Sequence, residues 1–576
     1  MNSSRFIFLT SAFVLVLTYS NLLCQTASIT KIPVSGDQKS SQFGLSIAID
    51  GDYAAFGAPS DGVSGVDNSG AVYIFHYDAN TGLWSETQHL VGANSAEFDN
   101  FGRSIDMEGG LLLIGAPGKE VNNTSNEPQE DAGIVYMYEL NASTGMYEWV
   151  ESLRAIDRSA YDDFGTAVSI SDSIIVVGAP GEDHLPGSGG LISNSGSAYI
   201  FEYDQSQGWY TAQKIKASDP GEMDHFGSSV DNEGQTVIVG SLWEGNQTSE
   251  DVSEAYGALY AFKQDSPGFW SFTQKIVANP RSDERWFGAR VSLSDDQLLA
   301  SCLHSNHAKA VMFTRNSSGT WIQQQKMYAN HSDDYFGNDV HVDGTDAFAA
   351  AHELISFSEL ESWLYWYKYD GVDWVRTDSV AVHDGVRFQV FWGIAASDEF
   401  IAIGWQNNYE DSLSNAGTAC FVSRQCLGEM PVVWYDSNAQ VGTSTNYTSY
   451  QWTLNGQNIQ GSNSATHQVT EDGVYRVIVT GSNGCVYESL PIFYNLLGTN
   501  TPREPEFSVF PNPFVKEISL EGLDENASWI LFDIQGRFLQ EGTESHIQLG
   551  NYPAGEYTLV IEDGGNHYAW KLIKAK

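Results

Sequence analysis

The chain is poor in positive charge, in cysteine and in long apolar runs, and each shortage excludes something. Only 28 of its 576 residues are Lys or Arg against 73 Asp or Glu, a formal net charge of −45. Phosphate binding needs a basic face, so no nucleic acid is expected as a partner. The acidity favours solubility and divalent cations, although most of such charge is solvated surface. Five cysteines, one of them Cys24 near the N-terminus, are too few for a disulfide scaffold. The sequence has no CxxC pair and no His/Cys cluster at zinc spacing, and its histidines are scattered. Beyond the N-terminus no run is long and apolar enough for a transmembrane segment. In place of these features stand 55 Gly and 13% aromatics, the composition of many short strands and turns. The length calls for several domains, because one core rarely grows past about 250–300 residues.

At the N-terminus Arg5 precedes "FIFLTSAFVLVL" (Phe6 to Leu17) and then "LLCQ". This reads as a secretory signal peptide, residues 1–24, with Gln25 first in the mature chain. A lipid-anchored Cys24 is the rival reading, but Leu23 stands where such signals want a small residue. The protein is expected to leave the cytoplasm through the periplasm for the outer cell surface or the medium.

One line is then written repeatedly: "FGLSIAIDGDYAAFGAP" from Phe43, "FGRSIDMEGGLLLIGAP" from Phe101, "FGTAVSISDSIIVVGAP" from Phe164 and "FGSSVDNEGQTVIVGSL" from Phe226. Weaker copies start at Phe287, Phe336 and Phe391, with Ser301-Cys302-Leu303, Ala350-Ala351-His352 and Gly404-Trp405-Gln406 in place of GAP. Each copy offers an alternating strand, a tight polar turn, an apolar strand, a third strand such as "GAVYIF", and a fourth carrying a tryptophan. Four antiparallel strands per repeat describe a propeller blade, which needs neighbours on both faces. The seventh copy ends with its third strand, Gly417 to Val422. Strand Ile29 to Val34 aligns with the missing fourth, so the chain's start is expected to close the ring.

Trp84, Trp149, Trp209, Trp270, Trp321 and Trp374 recur at one strand position and are read as wedges between blades rather than sugar platforms. Asp99, Asp162, Asp224 and Asp334 each stand two residues before the FG phenylalanine, where a carboxylate caps a turn. The competing reading is a ligand face. The loops before FG and after GAP share one side of the ring, and long loops follow GAP in blades two to four. They gather Glu120, Glu127, Glu130, Asp131, Glu182, Asp183, Glu250, Asp251 and Glu254 in one sector. Asp99, Asp162, Asp163, Glu182, Asp183, Asp224, Glu250 and Asp251 are the candidate ligand residues.

These repeats resemble the FG-GAP family, known from the integrin alpha-subunit propellers, over roughly residues 28 to 425. The resemblance implies an all-β, seven-bladed β-propeller whose loop face meets ligand. Integrin-type repeats often carry a D-x-D-x-D-G calcium loop between FG and GAP; here only "DGD", "EGG" or "SDS" stands there. Too few oxygens remain for a calcium cage, so no cofactor is assigned and Ca2+ stays an open question. Sialidase propellers carry S-x-D-x-G-x-T-W turns, and the nearest match, "NSSGTW" from Asn316, lacks the Asp. No G-x-S-x-G elbow, H-E-x-x-H helix or phosphate-cradling glycine loop appears, and no catalytic residue is assigned.

After Cys426 the period stops. Tyr450 to Cys485 alternates like a strand-rich module and resembles the immunoglobulin-like units of exported Bacteroidota proteins. Cys426 and Cys485 bracket it as the expected disulfide. Cys302 and Cys420 fall in blades five and seven, which are not neighbours. A linker, 496–506, precedes "FSVFPNPF", "LFDIQGRFL", "YPAGEYTLVI" and a terminal "KLIKAK". These segments resemble the type IX secretion sorting domain, type A. Its motif falls here on Pro511, Asn512, Pro513, Asp533, Gly536, Arg537, Gly555, Tyr557 and Lys571. The resemblance implies a Bacteroidota source, the type IX secretion machinery as partner, and removal of the tail on release or on anchoring to surface lipopolysaccharide. The expected order is a signal peptide (1–24), the propeller (25–425), an immunoglobulin-like β-sandwich (426–495), the linker and a small sorting sandwich (507–576). The leading expectation is surface recognition of a glycan or protein. A polysaccharide-acting hydrolase and a structural surface-layer component are the alternatives.

Overall fold

The computed structural model describes residues 29–33, 41–62, 66–184, 191–245, 255–281, 285–303, 309–328, 335–356, 359–381, 389–407, 418–424, 433–435, 440–443, 447–454, 457–471, 473–482, 486–489, 492–494, 508–510, 516–521, 527–533, 538–543, 545–549, 555–563 and 566–574. The fold is all-β. Six blades are each a four-stranded antiparallel meander, blade one running Ile47–Asp50, Tyr53–Ala58, Ala71–Asp78, Leu83–Val91. The seventh is made from both ends of the ring: Gln389–Ala396, Phe400–Asn407 and Thr418–Ser423, completed by Ile29–Pro33. Ile29 pairs with Val422 and Pro33 with Thr418, the closure the repeat count requires. Each innermost strand packs on the next, and Ile47–Asp50 packs on Gln389–Ala396 to shut the circle.

The FG and GAP signature is the joint between blades. A Cβ placed on Gly57 would lie 2.2 Å from the carbonyl oxygen of Gly102, the FG glycine of the next blade. Gly115 meets Gly165, Gly178 meets Gly227 and Gly240 meets Gly288 in the same way. Gly102 also holds φ at +89°, where a side chain would be strained. Two glycines per blade therefore let successive backbones touch. Where blades five and six put Ser301 and Ala350 in the GAP slot, that approach has to relax.

Side chains on the innermost strands stitch the ring. Ser46, Ser104 and Ser229 donate to the carbonyls of Gly102, Gly165 and Gly288 at 2.7–2.8 Å. Two residues further along, each side chain accepts a backbone N–H of the following blade. Asp106 takes Ile170, Ser169 takes Asn232, Asp231 takes Leu293, and Ser292 takes Val342. Burial pushes Asp106 and Asp231 up to about 7 against the pull of these hydrogen bonds.

The outer strands use a second device that the periodic reading passed over. Gln88, Gln213, Gln274 and Gln325 each donate to the carbonyl and accept from the N–H of one residue in the next blade, at 2.8–2.9 Å. The residues so held are Tyr147, Trp270, Trp321 and Trp374, all buried. Burying an indole removes roughly 200 Å² from water, about 5 kcal/mol at the usual coefficient. The wedge series is thus corrected at blade two. Tyr147 occupies the slot, while Trp149, two residues later, stands 60% exposed. Trp209 is half-buried, and blade two has Glu151, whose carboxylate cannot donate to the carbonyl, where its neighbours have the tying glutamine.

Beyond the ring, Trp434–Tyr435, Gln440–Gly442 and Thr466–Gln468 form one sheet. Ser449–Leu454 and Gly473–Thr480 lead another. Trp452, Tyr475, Val477 and Val479 are buried, and their core is continuous with Phe348, Ile403 and Val422 of blades six and seven. The last unit sets Ser508–Phe510, Glu517–Glu521 and His546–Gln548 beside Phe538–Gly542, Ser528–Asp533, Gly555–Asp563 and Asn566–Lys574. Leu520, Trp529, Leu559 and Leu572 lie in its core. Asp533 pairs with Tyr557, and Lys571 with Thr558. Pro511, Asn512, Pro513, Gly536, Arg537, Cys426, Cys485 and the signal segment lie outside the described residues. Cys302 and Cys420 are buried. Among the described residues no helix is long and apolar enough to cross a membrane.

Candidate functional site

Asp99, Asp162 and Asp224 are buried, each carboxylate accepting the backbone N–H three residues earlier. Ala96, Ser159 and Gly221 donate at 2.8, 2.5 and 2.7 Å. That is the turn-capping geometry, and it explains the fixed offset before FG. Lys119 adds an ion pair to Asp99 at 2.7 Å. Burial pushes Asp162 and Asp224 up to about 6. Asp163 is half-buried and pushed up to about 7, by burial first and then by Asp131 and Asp162. Glu250, Asp251, Glu254 and Asp334 lie outside the described residues.

Glu182 and Asp183 belong to a more elaborate arrangement in blade three. The third-strand Tyr199 points its hydroxyl at Asp157 and Glu182, 2.7 and 2.8 Å away. Lys214, opposite Tyr199 on the fourth strand, pairs with the same two carboxylates. Burial works against the Asp157 charge, but the hydrogen bonds from Lys214 and Tyr199 hold its carboxyl below the usual range. The buried Tyr199 is therefore both a core residue and a polar anchor. Blade four repeats the lattice: Tyr260 donates to Asp219 at 2.9 Å, and Lys275 reaches Asp219 at 2.7 Å and Glu244 at 2.8 Å.

The two blades part company above this lattice. In blade four the Arg281 guanidinium closes over Glu244 and stacks on Tyr256, 5.3 Å from the ring centre. In blade three Pro220 stands at the aligned position, and a concavity of about 450 Å³ remains. Asp157, Ser159, Glu182, Asp183, His184, Lys214 and Lys216 line it. Two of its carboxylates and one lysine are already paired. Asp183 is exposed and accepts the Asn194 N–H through one oxygen only. Lys216 is exposed at the rim. His184 is buried, its Nε2 is 2.9 Å from Ser197 Oγ, and its Nδ1 has no hydrogen-bond partner. Burial first, then the charge of Lys216, holds its pKa below the usual imidazole value, so the ring is neutral. A buried ring nitrogen without a partner costs about 1–3 kcal/mol unless a ligand or water satisfies it. Among the described residues no group of three or more His, Cys, Asp and Glu stands close enough to hold a metal ion.

Comparison with known proteins adds the lineage. The FG-GAP repeat profile matches residues 28–75, 84–138, 148–201 and 209–262. The profile of the secretion system C-terminal sorting domain matches 508–575. The chain carries FG-GAP repeats within residues 28–262 and a type IX sorting domain at 508–575. That tail marks a protein exported to the outer cell surface or secreted through the type IX machinery. No curated protein matches the chain. Among solved structures it is similar to a candidate 6-phosphogluconolactonase from Bacteroides uniformis, at 9% identity and TM-score 0.39, covering 65% of this chain and 96% of that one. It is also similar to Sqt1 of Saccharomyces cerevisiae, at 9% identity and TM-score 0.34, covering 70% and 99%. Neither likeness bears on what this protein does.

Of the predicted ligand residues, only Glu182 and Asp183 line the blade-three concavity; Asp162 caps the turn beside it through the Ser159 N–H. Asp157, His184, Lys214 and Lys216 were missed by sequence reasoning. One signal could have found the lysine and tyrosine: the fourth strands "AQKIK" and "TQKIV" place a lysine opposite the third-strand tyrosine.

Proposed function

We propose that this exported protein recognises a hydroxyl-rich ligand, a glycan or the polar surface of another protein, at the blade-three concavity of its propeller. The observation that carries the reading is His184. It is a neutral, buried imidazole whose Nδ1 lacks a partner, set in a wall where Glu182, Asp157 and Lys214 already satisfy one another. Asp183 as acceptor and Lys216 as donor flank it, the complement a polyhydroxyl ligand meets with several hydrogen bonds. Recognition loops on a rigid ring fit an exported binding protein.

The test is an array of glycans and surface proteins probed with the full chain and with His184→Phe. The reading expects at least one ligand retained by the parent and lost by the variant while the fold is kept. Equal binding profiles would overturn it. A catalytic reading has one observation in its favour, Asp163 held at about 7 beside Asp162. Turnover of the best-bound polysaccharide, lost in Asp163→Asn, would replace recognition by hydrolysis.

A further inference from the structure

Blade two carries a second feature, at the outer edge of the ring and independent of the blade-three site. A concavity of about 400 Å³ is lined by Glu139, Leu140, Asn141, Glu148, Trp149 and Val150. Trp149 is not one of the wedges, so packing between blades does not account for an indole here. Glu139 and Glu148 face each other directly across the two strands. Like charges in that position destabilise a strand pair. Among the described residues neither glutamate has an ion-pair partner, and Asn141 Nδ2 orients Glu148 by donating to its Oε1 at 2.9 Å.

Elsewhere the ring completes the same combination with a basic group of its own. In blade five Arg315 lies over the Trp321 ring at 5.2 Å and pairs with Asp296 at 2.7 Å. In blade six Lys368 lies over Trp366 at 5.7 Å, beside Asp346 at 4.0 Å. Blade two has the indole and two carboxylates without the cation. We infer that Trp149, Glu139 and Glu148 form a seat for a basic side chain, an arginine or lysine presented by a partner protein. The guanidinium or ammonium lies against the indole and neutralises the facing glutamates. An apolar partner would bury two carboxylates unpaired, and an anionic one would meet them as like charge. The large negative charge of the chain draws such a partner in and makes the contact sensitive to salt.

Ligand-observed NMR on the full chain tests it, with the peptide acetyl-Gly-Arg-Gly-amide and choline as probes at low salt. Trp149→Ala should weaken the peptide about two- to fivefold, the range of an exposed cation–π contact. Glu139→Gln with Glu148→Gln, which leaves the indole in place, should weaken it at least as much. Phe269→Ala, which removes another exposed aromatic in blade four, should leave it unchanged. Equal affinity in the parent and Trp149→Ala, or an equal loss in Phe269→Ala, would overturn the seat. Choline binding as tightly as the peptide would overturn its assignment to a partner's basic side chain.

Discussion

Blades three and four start from the same lattice and finish differently. Both set a tyrosine hydroxyl and a lysine between an Asp from the preceding loop and a Glu after the GAP slot. Blade four then covers its Glu244 with Arg281, whereas blade three leaves Glu182 under an open concavity edged by His184 and Lys216. The repeat supplies the scaffold, and the residues outside the repeat decide whether it is closed. A site in such a ring is found by asking which blade lacks the group that completes its neighbours.

The comparison breaks most visibly at the lysines. Lys214→Met would leave Glu182 buried with no cation, at a cost of about 3 kcal/mol. Lys275→Met leaves Arg281 on Glu244 and should cost about 1 kcal/mol. Denaturant unfolding of the two variants reads the difference, and equal losses would mean that Arg281 does not compensate.

Away from the concavity the joints should behave alike, and pH sharpens that half of the comparison. Asp106 reaches into blade three from blade two, and Asp231 into blade five from blade four. Burial raises both to about 7, above the unfolded carboxylate near 4. The folded state therefore binds more protons than the unfolded state between about pH 4 and pH 7, and these groups lower stability as pH rises through that window. Asp106→Asn and Asp231→Asn keep an oxygen for the neighbouring N–H. Each should raise the Tm over the parent at pH 8, with the gain fading toward pH 4. A gain that persists at pH 4 would point to a cause other than titration.

The ring was legible in the sequence because its determinants are periodic and local. FG and GAP glycines recur where backbones touch, and the unpaired third strand of blade seven announced the closing partner at Ile29. Turn-capping was legible for Asp99, Asp162 and Asp224 from their constant offset. Trp149 misled because it lies two residues from a slot that Tyr147 fills, and periodicity tolerates that slip while packing does not. The concavity was half legible. Glu182 and Asp183 stood out as loop acids, but Lys214 and Lys216 approach from a strand about thirty residues away, and His184 gains meaning only from what its Nδ1 does not touch. Glutamine ties such as Gln88 and Gln274 were hidden because a lone glutamine in a polar strand reads as solvent-facing.

The central claim is that His184 meets the ligand while the blade-four equivalent is shut. Two-dimensional 1H–15N spectra of the imidazole nitrogens, recorded while the best array ligand is titrated into the full chain, test it directly. His184 Nδ1 should shift progressively to saturation, with His225 of blade four unmoved. Saturation of the ligand with the His184 ring unchanged would contradict the account.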